Sequence, residues 1–85
     1  MTTAARIDEA VVRAIIIDVL EVEEGDLTRT SLFIEDLGAD SLAAIEILSR
    51  LEQELGLTIA QEDLFRMTDL DAVLAVLNGA ERRQP

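Results

Sequence analysis

Apolar residues recur along the chain at helical intervals, and no alternating strand pattern runs for more than a few residues. Val12, Ile15, Ile16 and Val19 share one face at the i, i+3, i+4, i+7 spacing. They predict a helix from about Ala5 to Leu20, with Ile17 off the inner face because successive side chains step by roughly 100°. Ala44, Ile47, Leu48, Leu51 and Leu55 form the stripe of a second helix. It starts at Asp40-Ser41, where Asp40 is a favourable N-cap, and stops at Gly56, the residue type that most readily ends a helix in the left-handed conformation. Gln61 to about Arg66 reads as a brief third helix. Thr68 or Asp69 can cap a fourth that runs to Asn78-Gly79 on Leu70, Val73, Leu74 and Leu77. Between the first two helices, residues 21–40 form a long loop whose Leu27, Leu32, Phe33 and Leu37 are spaced as pins onto a helical core, with room for one short helical turn. The expected fold class is all-α: a small bundle of three main helices plus one short helix, with a long loop between helices 1 and 2.

Length and composition narrow what such a bundle does. Eighty-five residues make one domain, 1–85, near the lower limit for a single core; about 5–79 are expected to be ordered, with a flexible tail at 80–85. With no cysteine and no histidine, the chain lacks disulfides, thiolate metal sites and the usual neutral-pH base of nucleophilic catalysis. That argues against an enzyme. The acidic clusters Glu23, Glu24, Asp26 and Glu35, Asp36, Asp40 do not match the alternating ligand spacing of a calcium loop, so no metal site is expected.

The net charge is −11, and residues 21–40 alone contribute −6. Such a surface repels nucleic acid and anionic membranes and suits a protein partner with a basic patch. No apolar run approaches spanning length and the start does not resemble a signal peptide, which leads to the expectation of a cytoplasmic monomer with no membrane insertion.

On the second helix, Glu46, Ser49, Arg50, Glu52 and Gln53 lie opposite the core stripe, and so do Leu42 and Ile45. One exposed aliphatic is ordinary. Two, flanked by Ser41 and Glu46, suit a transient docking patch in which charge steers the encounter and the apolar contact fixes the register. Ser41 stands in the first turn, where free amides and the helix dipole favour a phosphate on its oxygen. A serine at a helix start is also an ordinary cap, so position alone does not assign it a role.

The run Phe33-Ile34-Glu35-Asp36-Leu37-Gly38-Ala39-Asp40-Ser41-Leu42 resembles the segment around the prosthetic-group serine of bacterial acyl carrier proteins. The similarity continues through Ile45-Glu46-Ile47, Leu51 to Gly56, Ile59 and the Glu62-Asp63 pair, covering about Ile7 to Leu77. The resemblance implies that a phosphopantetheinyl transferase moves 4′-phosphopantetheine from coenzyme A onto Ser41, and that the arm's thiol then holds acyl groups as thioesters. Asp40 would be the motif acid. Leu42, Ile45, Glu46 and Ser49, with Glu35 and Asp36 of the loop, would meet acyl-loading and chain-elongating or tailoring enzymes through basic docking patches. The core could also open to shelter an acyl chain, as in some carriers of this family. Ser49 in place of a frequent methionine, Ala60 in place of a proline and the apolar Leu64-Phe65-Arg66-Met67 depart from fatty-acid carriers. They favour a polyketide or hybrid pathway within polyketide or fatty-acid-type biosynthesis. A peptidyl or aminoacyl carrier, more often marked by Gly-Gly-His/Asp-Ser, and an unmodified helical adaptor are the alternatives.

Overall fold

The computed structural model describes residues 7–83. Its main elements are three α-helices, α1 (Glu9–Leu20), α2 (Ser41–Leu55) and α3 (Leu70–Arg83). Two 3₁₀ segments accompany them, a single turn at Glu24–Asp26 and a longer one at Gln61–Arg66. No strand occurs among the described residues.

Each main helix begins on an aspartate. Asp8, Asp40 and Asp69 accept hydrogen bonds from the backbone N–H of Ala10, Ala43 and Ala72 at 2.9, 2.9 and 2.8 Å, satisfying amides that a helix start leaves open. The Asp8 cap starts α1 at Glu9, later than the start near Ala5 expected from periodicity; Ala5 itself lies outside the described residues. The other end of α1 also departs from a standard stop. Glu21, not a glycine, takes the left-handed conformation with φ of 57°. Gly56 fills that role after α2 with φ of 66°. Gly79 does not end α3, which continues to Arg83 because Ala80, one turn beyond Val76, packs fully into the core.

The core is almost wholly aliphatic. Val12, Ile15 and Ile16 of α1 meet Ile47, Leu51 and Leu55 of α2 and Leu70, Val73, Val76 and Leu77 of α3. Leu57 and Ile59 of the connector and Met67 after the 3₁₀ segment complete it. The Glu52 carboxylate, expected to face only solvent, instead accepts from the Ile59 N–H at 2.8 Å and ties α2 to that connector.

The long loop is fastened rather than loose. Leu27 and Phe33 are buried in the core, Leu37 is half-buried against it, and Leu32 is half-buried. Its backbone joins the lead-in to α3 twice: Phe33 N–H donates to Thr68 O at 2.9 Å, and Asp71 N–H donates to Arg29 O at 3.0 Å. Arg29 also reaches both Glu9 at the start of α1 and Asp71 in the first turn of α3.

All seven basic residues of the chain are arginines. Every one between positions 13 and 66 is held by a carboxylate: Arg13 by Glu24, Arg29 by Glu9 and Asp71, Arg50 by Asp18, and Arg66 by Asp63. Arg50, expected to be solvated, is therefore half-buried against α1.

Candidate functional site

Ser41 is the first residue of α2 and its side chain is exposed. The chain reaches it through a compact turn. Leu32 O accepts from the N–H groups of Asp36 and Leu37 at 2.8 and 3.1 Å, and the Asp36 carboxylate accepts from Leu32 N–H at 2.8 Å. Gly38 then adopts a φ of 74°, a region that L-residues with a Cβ enter at a cost. Ala39 N–H returns to Phe33 O at 2.8 Å, so the run into the helix is anchored to the buried Phe33.

Asp40 closes the turn and opens the helix. Its Oδ1 accepts from Ala43 N–H at 2.9 Å and its backbone carbonyl from Ala44 N–H at 3.2 Å. Among the described residues, the N–H groups of Ser41 and Leu42 have no hydrogen-bond partner. An anionic group on the serine oxygen would therefore meet two uncommitted amides and the positive end of the helix dipole. The donor chemistry fits a phosphodiester.

Beside Ser41 opens an apolar recess of about 310 Å³. Ile47, Leu64 and Met67 form part of its lining; Ile34, Glu35 and Phe65 are exposed residues on its wall. Leu42 is 74% exposed and Ile45 49% exposed, and both share the outer face of α2 with Glu46 and Ser49. Glu35 and Asp36 lie exposed in the preceding turn, Asp36 with one carboxylate oxygen committed to Leu32. Among the described residues, Glu35, Asp36, Asp40 and Glu46 take part in no ion pair, and no group of three acidic side chains is placed to hold a metal ion.

Residues 10–77, which include this whole arrangement, match the family model described as the phosphopantetheine attachment site. The chain belongs to that family. This carrier is 47% identical over 83 residues to polyketide-8 synthase acyl carrier protein 1 of Streptomyces avermitilis, covering 94% of this chain and 96% of the relative. It is 37% identical over 78 residues to polyketide-8 synthase acyl carrier protein 2 of the same organism, covering 92% and 90%. An acyl carrier protein presents cargo on the thiol of 4′-phosphopantetheine and leaves the chemistry to enzymes. The prosthetic group supplies the thiol that this cysteine-free chain lacks.

Sequence periodicity overlooked two members of the site's surroundings, Ile34 and Phe65. Both are apolar residues within short irregular elements, where no helical stripe separates inward from outward positions. The unusual Leu64-Phe65-Arg66-Met67 run was the available signal, but it does not reveal which of its side chains is exposed.

Proposed function

We propose that Ser41 is the attachment point of 4′-phosphopantetheine and that the carrier serves polyketide assembly, as the names of its two Streptomyces relatives suggest. The observation that carries the assignment is an exposed serine at the first position of α2, inside the matched attachment-site segment, beside two uncommitted backbone amides. In the modification, Ser41 Oγ forms a bond to the phosphorus bearing the pantetheine of coenzyme A. The pyrophosphate P–O bond breaks, adenosine 3′,5′-bisphosphate leaves, and the serine proton passes to a base of the transferase. Asp40 holds the helix start in place through Ala43.

The docking face comprises Leu42, Ile45, Glu46 and Ser49 of α2 with Glu35 and Asp36 of the loop. Its unpaired carboxylates suit basic patches on the transferase and on loading, elongating or tailoring enzymes. No helix among the described residues is long and apolar enough to cross a membrane, in keeping with a cytoplasmic place of work.

Intact mass spectrometry after incubation with coenzyme A and a broad-specificity phosphopantetheinyl transferase tests the attachment. One phosphopantetheine adduct on the native chain and none on Ser41→Ala is the expected result. A folded native chain that stays unmodified, or an adduct that survives Ser41→Ala, would overturn it.

A further inference from the structure

A further recess, of about 290 Å³, lies where the end of α1 meets the start of α2. Val19 and Leu20 of α1 line it together with Leu37, Gly38 and Asp40 of the turn into α2. Asp40 and Leu42, the chain neighbours of Ser41, both belong to its wall, so a group tethered to Ser41 starts at its edge.

The lining residues carry uncommitted backbone groups of both kinds. At the end of α1 the N–H groups of Glu21 and Val22 both return to Ile17 O, and the carbonyls of Val19 and Leu20 accept from no donor among the described residues. In the turn, the N–H groups of Gly38 and Asp40 likewise have no acceptor among the described residues. Nothing stands within 4 Å of where a Cβ on Gly38 would lie, so that backbone is open to approach. Val19, Leu20 and Leu37 add half-buried apolar side chains. Glu46, also on the wall, forms no ion pair among the described residues, and Oδ2 of Asp40 has no partner there. Such a lining disfavours an anion. It suits a neutral chain that offers donors and acceptors together, as amides do, with methyl groups for the apolar side chains.

We propose that this recess between α1 and α2 is the resting site of the pantetheine arm on Ser41 while its thiol carries no acyl group. Beyond its phosphate the arm is neutral, and it bears amides, a hydroxyl and geminal methyl groups. The amides and hydroxyl meet the free carbonyls, N–H groups and carboxylates of the wall, and the methyl groups meet Val19, Leu20 and Leu37. The apolar recess that Ser41 itself lines, with Ile47, Leu64 and Met67, offers the amides fewer partners. Covalent attachment at the edge of the site gives the arm a high effective concentration there, so weak contacts are enough to hold it. Leu42 and Glu46 belong both to this wall and to the outer face of α2, so an enzyme that covers them displaces the arm from rest.

This inference rests on the carrier reading, and one experiment separates the two. Isotope-labelled protein is converted to its holo form with unlabelled coenzyme A and a broad-specificity phosphopantetheinyl transferase, and isotope-filtered NOE spectra are recorded with the thiol unacylated. We expect NOEs from the geminal methyl groups of the arm to the side chains of Val19, Leu20 and Leu37, with amide shifts at Leu20 and Gly38 relative to the unmodified protein. Ala43 is half-buried on the same wall, and Ala43→Leu fills the recess. In that holo variant the NOEs should be lost while the shifts at Ser41 and Leu42 persist, with circular dichroism as the check on fold. A native holo protein without NOEs to Val19, Leu20 or Leu37 overturns the resting site alone, and this spectrum decides by itself if the variant does not fold. NOEs confined to Ile34 or Met67, or NOEs to α1 that survive in a folded Ala43→Leu, overturn it as well. A native chain that is never modified overturns the carrier reading and this inference with it.

Discussion

Asp40 has two carboxylate oxygens, and the helix uses one of them. Oδ1 caps α2 through Ala43, while Oδ2 has no partner among the described residues. The same side chain can therefore secure the helix start and add negative charge next to Ser41, two roles that substitution can separate. Asp40→Asn keeps a capping oxygen and removes the charge, whereas Asp40→Ala removes both. By urea unfolding, Asp40→Ala is expected to lose about 1 kcal/mol and Asp40→Asn a few tenths at most. If the two variants lose equal stability, the charge and not the cap is what matters there. Asp36 shows the same economy one turn earlier, where its carboxylate fastens Leu32 N–H and remains exposed.

At the scale of elements, the two ends of α1 differ in how well their residues suit them. Asp8 is a favourable start. The stop places Glu21 in the left-handed region, with its charge and that of Asp18 near the negative end of the helix dipole. Glu21→Gly should therefore stabilise the fold by about 0.5–1 kcal/mol, seen as a higher urea midpoint with unchanged slope. A lower midpoint would mean that Glu21 has a stabilising role which outweighs its backbone strain. This stop also shows what a sequence conceals. The α2 limits were legible because cap, apolar stripe and terminal glycine agree at Asp40, Ile47-Leu51-Leu55 and Gly56. The short segment at Gln61–Arg66 was also placed, without a side-chain cap or a terminal glycine to mark it, and it winds as a 3₁₀ helix. The end of α1 at Leu20 was legible from its apolar period, although nothing local marks Glu21 as left-handed, whereas Gly79 does not end α3 because Ala80 beyond it is buried. Ser41 and its outward neighbours on α2 were legible from the motif and the helical period. The Arg29 bridge to Glu9 and Asp71 was not, because it joins residues far apart in the chain.

For the molecule as a whole, the −11 net charge sets two tendencies against each other. Self-repulsion weakens the compact state, and the same field draws in a basic partner. The exposed ion pairs are worth little individually, so screening them matters less than screening the net charge. Raising sodium chloride from about 10 mM to about 0.3 M shortens the Debye length from roughly 30 Å to below 10 Å. The melting temperature is expected to rise over that range, while kcat/KM for the transferase falls. If both move in the same direction, the idea that charge chiefly steers docking fails, and the apolar contacts must dominate recognition.

The arginine-only set of cations has a chemical consequence for the cargo. A thioester on a flexible arm stays within reach of its own carrier's surface, where tethering gives any nucleophile an effective concentration near the millimolar range. A lysine amine, a cysteine thiol or a histidine imidazole could each take the acyl group under those conditions. The chain contains none of these side chains. A guanidinium delocalises its nitrogen lone pairs over the whole group and is a poor nucleophile. For this carrier, positive charge comes without side-chain nucleophilicity, and the surface that holds its helices together has no amine with which to consume the intermediate.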